Sequence, residues 1–241
     1  MGRLALIGGH SILASADAVV EAIGGARRRT IERARGAVTV FEADDVVVLQ
    51  RHGFDGYTPA HRIDHGAHVA ALATLDCDRI LALSSVGSLR AEIAVGTVVV
   101  PDDFIALDAP PTAVRDDGVA HVVPGFAPAW RARALEAWRS HDDGAVRDGA
   151  VYWQTNGPRF ETPAEVRYLA AFAHLVGMTV GSECVAAVEL GIEYAAVCVV
   201  DNLANGLGED HLTVEEFEAG KASNEARVVS VLGRVVPALA A

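Results

Sequence analysis

Short runs of β-branched and other apolar residues recur along the chain: Leu4 to Ile7, Val38 to Phe41, Val46 to Gln50, Arg79 to Ser84, Thr97 to Val100, Ala150 to Gln154 and Tyr194 to Val200. A strand with one wet face alternates apolar and polar residues, whereas a strand covered on both faces reads as a nearly continuous apolar run. These runs therefore predict a sheet buried on both sides. Stretches with helical spacing lie between them: His65 to Leu75, Pro128 to Ser140, Pro163 to Leu175, Glu183 to Leu190, and Thr213 to about Val236. Strands alternating with helices predict an α/β fold. No internal repeat, low-complexity tract or linker divides the chain, so a single domain over residues 1–241 is expected.

Helix boundaries read from local chemistry. Thr213 with Glu216 three residues on has the form of a capping box, and the helix it opens is expected to close just before Pro237. Thr162 before Pro163 and Glu165, and Ser182 before Glu183, read as two further starts. The segment from Ala106 to Pro124 is rich in Pro, Asp and Gly without a clear period and reads as a long surface excursion, of the kind that often borders a site.

Composition excludes several classes. With 51% hydrophobic and 22% charged residues the chain has ample material for a core, so extended disorder is ruled out. A net charge of −12 repels phosphate backbones, and the largest basic cluster is Arg27, Arg28 and Arg29, followed by Glu32, so no nucleic-acid partner is expected. The apolar stretch Leu4 to Ile7 is too short for a secretion signal, and no run approaches the ~18 residues of a membrane span. Cys77, Cys184 and Cys198 are an odd number without metal or redox spacing; they read as core residues in a reducing, cytoplasmic setting.

Polar residues placed where apolar strands end mark the chemistry, because ligands of open α/β sheets bind there. Gly8-Gly9-His10-Ser11 follows the first strand and could let backbone amides approach an anion, or could be a plain turn. Arg51 and His52 follow Leu49-Gln50 and suit a phosphate or carboxylate, the other reading being a surface ion pair. Ser84-Ser85-Val86-Gly87-Ser88 could cradle an anion or a ribose, or be an ordinary serine-rich turn. The segments 156–165 and 199–205 bring an aromatic, a carboxylate and amides that suit a flat heterocycle. Asp201 and Asn202 are too polar to end a buried strand without partners.

With these residues in view, the chain resembles the trimeric purine nucleoside phosphorylase and methylthioadenosine phosphorylase family. The matching stretches are LIGGHS, QRHG, HRIDHGAHVAAL, SSVGSLRAEIAVGTVVVPDDFI, NGPRFETPAEVR and GMTVGSECVAAVELGIEYAAVCVVDN, in family order over most of residues 4–236. The resemblance implies a nucleoside phosphorylase-like fold, with a central mixed β-sheet flanked by helices, and a homotrimer. It also implies reversible phosphorolysis of a purine nucleoside, with inorganic phosphate as co-substrate and no metal or organic cofactor.

Carried over by position, His10, Ser11, Arg51, His52, Ser84 and Thr179 are phosphate ligands, although His10 and Ser11 stand where the family usually has Thr or Ser with glycine. Ser85, Met178 and Glu183 fall at the ribose, and Phe160, Glu161 and Asn202 at the base. Glu161 with Asn202 is the 6-oxopurine pattern: a carboxylate accepts from the ring N–H of hypoxanthine or guanine but meets a lone pair on adenine. Asn202 and Asp201 are the candidates for assisting the leaving base; Asp201 stands where the family commonly has Thr, and could be the acid that protonates it. Val214 and Phe217 make the 5′ pocket apolar, as for a methylthio group, and His211 is the residue that could overturn that reading.

The implied substrates are inosine, guanosine or 5′-methylthioinosine, with 5′-methylthioadenosine as the alternative. A phosphate-independent nucleosidase and a non-catalytic nucleoside-binding protein remain as further readings; a cationic cradle at Arg51 and His52 argues against the former.

Overall fold

The computed structural model describes residues 2–33, 36–107, 114, 115, 117–208 and 213–241. Its strands are β1 (Arg3–Gly8), β2 (Arg27–Arg33), β3 (Gly36–Glu42), β4 (Val46–Gln50), β5 (Cys77–Ser88), β6 (Val98–Val100), β7 (Asp103–Ile105), β8 (Val146–Asp148), β9 (Val151–Gln154), β10 (Leu175–Gly177) and β11 (Glu193–Leu203). The helices are α1 (Ala16–Ala22), α2 (His65–Ala73), α3 (Pro128–His141), α4 (Pro163–Ala170), α5 (Val180–Glu189) and α6 (Val214–Ala240).

One mixed 11-stranded sheet results. The order β2-β3-β4-β1-β5-β10-β9-β7 is joined by β11, which pairs with β5 and β6, while β6 also pairs with β8. The strands β4, β1, β5 and β11 run parallel, so their C-terminal ends meet along one edge.

The continuous apolar runs are explained by what covers each face. In β1, Ala5 and Ile7 pack into one core with residues of α2 and α5, such as Val69, Leu72, Cys184 and Ala187. Leu4 and Leu6 pack into the opposite core, against Trp130 and Trp138 of α3 and Val228, Leu232 and Val235 of α6. Each such side chain is worth about 1.5–3 kcal/mol when fully buried, so apolar residues are favoured at odd and even positions alike. A smaller third cluster, with Trp153, Val166 and Leu169, lies beneath α4. The three cysteines are buried and free of disulfides.

Several expected boundaries shift. The arginines at 27–29 form an exposed edge-side strand, β2, paired with β3 and held by Glu42, which forms ion pairs with Arg27 and Arg29. The helix expected to reach Leu175 stops at Ala170, because Leu175 begins β10 beside β9. The start expected at Ser182 lies earlier, with Thr179 as N-cap of α5. Residue 237 does not end α6: burial of Val235, Val236 and Leu239 carries the helix to Ala240 past Pro237. Thr162 and Glu165 form the expected capping box. Of the capping box at Thr213, the Glu216 side chain lies outside the described residues, as do residues 108–113 and 116 of the 106–124 excursion. Among the described residues no helix is long and apolar enough to cross a membrane.

Candidate active site

A cavity of about 430 Å³ opens at the C-terminal edge of the parallel strands. The polar residues come from two settings: the turns just past β1 and β4, where the chain leaves the sheet, and the far, still paired ends of β5 and β11. His10 follows β1, Arg51 and His52 follow β4, Ser84 and Ser85 belong to β5, and Asn202 to β11.

Arg51 is the anchor of this floor. Only 2% exposed, it donates from Nε to Glu183 Oε1 at 2.6 Å, from Nη2 to Oε2 at 2.9 Å and from Nη1 to the Leu83 carbonyl at 2.5 Å. A guanidinium has five N–H donors, so one on each terminal nitrogen is left for a ligand. Glu183 also accepts from the Tyr194 hydroxyl at 2.8 Å, and His65 Nδ1 stands 3.5 Å from its Oε1. Burial opposes a charge on Glu183, but Arg51 and His65 outweigh it and hold the carboxyl well below its usual range. Gly9 makes this possible, since a Cβ there would overlap both Arg51 Nη1 and the Leu83 carbonyl oxygen.

His52 donates from Nδ1 to the Thr58 carbonyl at 2.9 Å and stacks on Tyr57, ring centroids 5.4 Å apart. Burial first, then the neighbouring Arg51 charge, push its pKa down to about 3, so the ring is neutral at physiological pH. His10 meets His52 edge-on at 4.9 Å and Phe217 at 5.5 Å, and burial and Lys221 lower its pKa as well.

On the far side, a loop between β9 and α4 carries Phe160 and Glu161. The capping box and an Arg159–Glu165 ion pair at 2.7 Å fix its end. Glu161 Oε1 accepts from the Thr155 hydroxyl at 2.7 Å, and its carbonyl accepts from Asn205 Nδ2 at 3.1 Å. Asn202 Nδ2 donates to the Leu203 carbonyl at 2.8 Å, which leaves its Oδ1 and second N–H for a ligand. Met178 lies against Gly157, whose φ of +63° and lack of Cβ are both needed, because a Cβ would overlap the Met178 sulfur. Val214 and Phe217 of α6 close the cavity's outer side, with Phe217 5.6 Å from Phe160.

The structure thus brings His10, Arg51, His52, Ser84, Ser85, Phe160, Glu161, Met178, Thr179, Asn202, Val214 and Phe217 to one cavity. It does not bring Ser11, Glu183 or Asp201 there. Ser11 is fully buried, and its hydroxyl has no partner among the described residues. Glu183 sits behind Arg51, clamped by it, rather than at a ribose. Asp201 turns toward α6, where Asn224 Nδ2 donates to it at 2.8 Å, so it does not face a leaving base. His211 lies outside the described residues.

Asn205, at the end of the 199–205 segment, also lines the cavity, as do Tyr57 and Glu218, which were missed. An aromatic between Gly56 and Thr58-Pro59, shortly after Arg51-His52, was the available signal for Tyr57. Among the described residues no group of three or more His, Cys, Asp or Glu is placed to hold a metal ion.

Comparison with known proteins agrees with this geometry. The family model described as "Phosphorylase superfamily" matches residues 3–237. A "probable 6-oxopurine nucleoside phosphorylase" of Archaeoglobus fulgidus is 40% identical over 183 residues, 76% of this chain and 74% of the relative. A "probable S-methyl-5′-thioinosine phosphorylase" of Methanopyrus kandleri is 40% identical over 200 residues, covering 79% and 77%. In fold, the chain is similar to methylthioadenosine phosphorylase from Schistosoma mansoni solved with adenine, with a TM-score of 0.83 at 23% identity, over 99% of this chain and 92% of that one. A superfamily match over nearly the whole chain, relatives at 40% identity and a cavity at the strand ends lead to one conclusion: the protein belongs to the phosphorylase superfamily.

Proposed function

We propose that this cavity carries out phosphorolysis of purine nucleosides, with 6-oxopurine nucleosides preferred, making the protein a pentosyltransferase. The observation that carries the reading is one cavity with a cationic, donor-rich floor at Arg51 and a carboxylate and amide at Glu161 and Asn202. The relatives described as acting on 6-oxopurine nucleosides and methylthioinosine support it.

Phosphate is held by Arg51, Ser84 and Thr179, with the neutral His52 accepting from a phosphate hydroxyl through Nε2 and His10 closing over it, and is thereby positioned for attack, a contribution of several kcal/mol. Its oxygen bonds to the anomeric carbon as the bond from that carbon to the purine nitrogen breaks. The sugar passes through an oxocarbenium-like state next to the phosphate charge, and the bonding pair leaves with the purine. Glu161 accepts the ring N–H of a 6-oxopurine, and the Asn202 amide donates to the departing base where negative charge gathers. Met178 packs beneath the ribose. Inorganic phosphate is the co-substrate, and no further cofactor is required by these steps.

Val214 and Phe217 favour a second sugar, 5-methylthioribose, because an apolar wall leaves a 5′-hydroxyl without a partner. The full reading is a single-domain, cytoplasmic homotrimer.

The test is base release from inosine, guanosine, adenosine, 5′-methylthioadenosine and 5′-methylthioinosine, each with and without phosphate. Phosphate-dependent release from the 6-oxo substrates is expected. Release without phosphate, or preference for 5′-methylthioadenosine, overturns the corresponding part. Sedimentation of the purified protein tests the trimer.

A further inference from the structure

Asp201 is a buried carboxylate that the proposed reaction leaves without a task. It lies where the pairing of β11 with β5 shifts by one residue, between Val200 and Asn202. Such an irregularity re-aims neighbouring side chains, which is how Asn202 comes to line the cavity while Asp201, 1% exposed, faces the other way. The Ser85 hydroxyl donates to Asp201 Oδ2, and Asn224 Nδ2 of α6 donates to Oδ1 at 2.8 Å. The helix is pressed close at this point: a Cβ on Gly220 would overlap the Asp201 carbonyl oxygen. Burial pushes the Asp201 pKa up, while the bonds from Ser85 and Asn224 favour its charged form.

Of the two side chains that donate to Asp201, Ser85 lines the cavity and Asn224 does not. A serine hydroxyl has one proton and two lone pairs, and Ser85 gives its proton to an Asp201 oxygen. The proton of Ser85 is therefore directed at Asp201, and what the hydroxyl offers a ligand is lone pairs. An unprotonated phosphate oxygen, itself an acceptor, is repelled by that arrangement; a sugar hydroxyl is accepted.

We infer that Asp201 is a positioning residue: by taking the one proton of Ser85 it makes that hydroxyl an acceptor for a ribose hydroxyl of the nucleoside. This rests on the proposed phosphorolysis of nucleosides. The second oxygen of the same carboxylate fastens α6, and with it the wall residues Val214 and Phe217.

The experiment measures KM for inosine and for phosphate separately, together with the inosine Kd by calorimetry, in Ser85→Ala, Asp201→Leu, Asp201→Asn and the Ser85→Ala/Asp201→Leu double variant. Ser85→Ala and Asp201→Leu should each raise the inosine KM and Kd about tenfold, with phosphate KM within about twofold. Asp201→Asn keeps an acceptor oxygen for Ser85 and should recover most of that loss. The double variant should be little worse than the worse single one, because both remove the same bond. Ser85→Ala should also lose discrimination against 2′-deoxyinosine or 3′-deoxyinosine, a result that holds even if Asp201→Leu fails to fold. A rise in phosphate KM, additive effects, or unchanged discrimination against both deoxynucleosides overturns the inference. A parent protein that binds inosine but releases no base overturns the phosphorolysis reading instead, while the calorimetric arm still decides the role of Asp201.

Discussion

The floor of the cavity and its outer wall are built by opposite means. At the floor, Arg51 is nine-tenths or more buried, and three of its donors are spent on Glu183 and Leu83 before any ligand arrives. At the wall, Val214 is 62% exposed and stands in the first turn of α6, next to Phe217, which is held by ring contacts with His10 and Phe160. The floor is preorganised by strands whose every neighbour is fixed; the wall is one end of a helix anchored farther along. Substitutions at the floor should therefore cost stability and activity together, and substitutions at the wall should change selectivity alone.

The largest effect is expected from Arg51→Ala. It leaves Glu183 buried without its cation, a loss of about 3–5 kcal/mol of stability, and should lower kcat/KM for phosphate by about 100-fold or more. Denaturant melts and phosphate titrations check both, and a stable variant with normal phosphate dependence would erase the contrast between floor and wall.

Acid tests the same floor. His52 of the floor and His68 on α2, which does not line the cavity, are held neutral, with pKa values pushed down to about 3 and about 4 by burial, against 6.5 when unfolded. Below pH 6.5 the unfolded chain takes up protons that the folded one refuses, so stability present at pH 7 is lost as pH falls toward 4. At pH 5 the loss is about 2 kcal/mol from each group. Melts from pH 7.5 to 4.5 should show it, with a shallower slope in His68→Asn.

Asn202→Asp sits between floor and wall. It should raise the ratio of adenosine to inosine turnover by about tenfold, the worth of one hydrogen bond reversed. An unchanged ratio would remove Asn202 from the base.

The smallest effect is expected at the wall. Phe217→Ala should narrow any preference for 5′-methylthioinosine over inosine by about tenfold, as for a few methylenes in an apolar pocket, with Tm nearly unchanged. A large drop in Tm would mean that the wall is as integral as the floor.

Much of this was legible beforehand because the signals are local. A run such as Leu4 to Ile7 has to be covered on both faces, and a Thr-Pro-Ala-Glu segment starts a helix by its own hydrogen bonds. The segments that end in Arg51-His52, Ser84-Ser85 and Asn202 announced themselves by placing polar groups directly after apolar runs. What stayed hidden depends on partners far away in sequence. Glu183 looked available for a ribose until Arg51 was found clamped on it, and Asp201 looked as well placed as Asn202 to meet the base. Tyr57 carried no periodic signal because it lies in the irregular segment between β4 and α2.

The sequence by itself determined the α/β class, the two-sided burial of the sheet and the set of strand-end residues from which a site could be made, since apolar patterning and caps act within a few residues. Tertiary structure decided which of those residues share the cavity. The clamp between Arg51 and Glu183, the one-residue shift that turns Asp201 to α6 and Asn202 to the ligand, and the placing of Phe217 over His10 each join elements distant in sequence, and only the packed fold brings such charges and rings within hydrogen-bonding and contact distance.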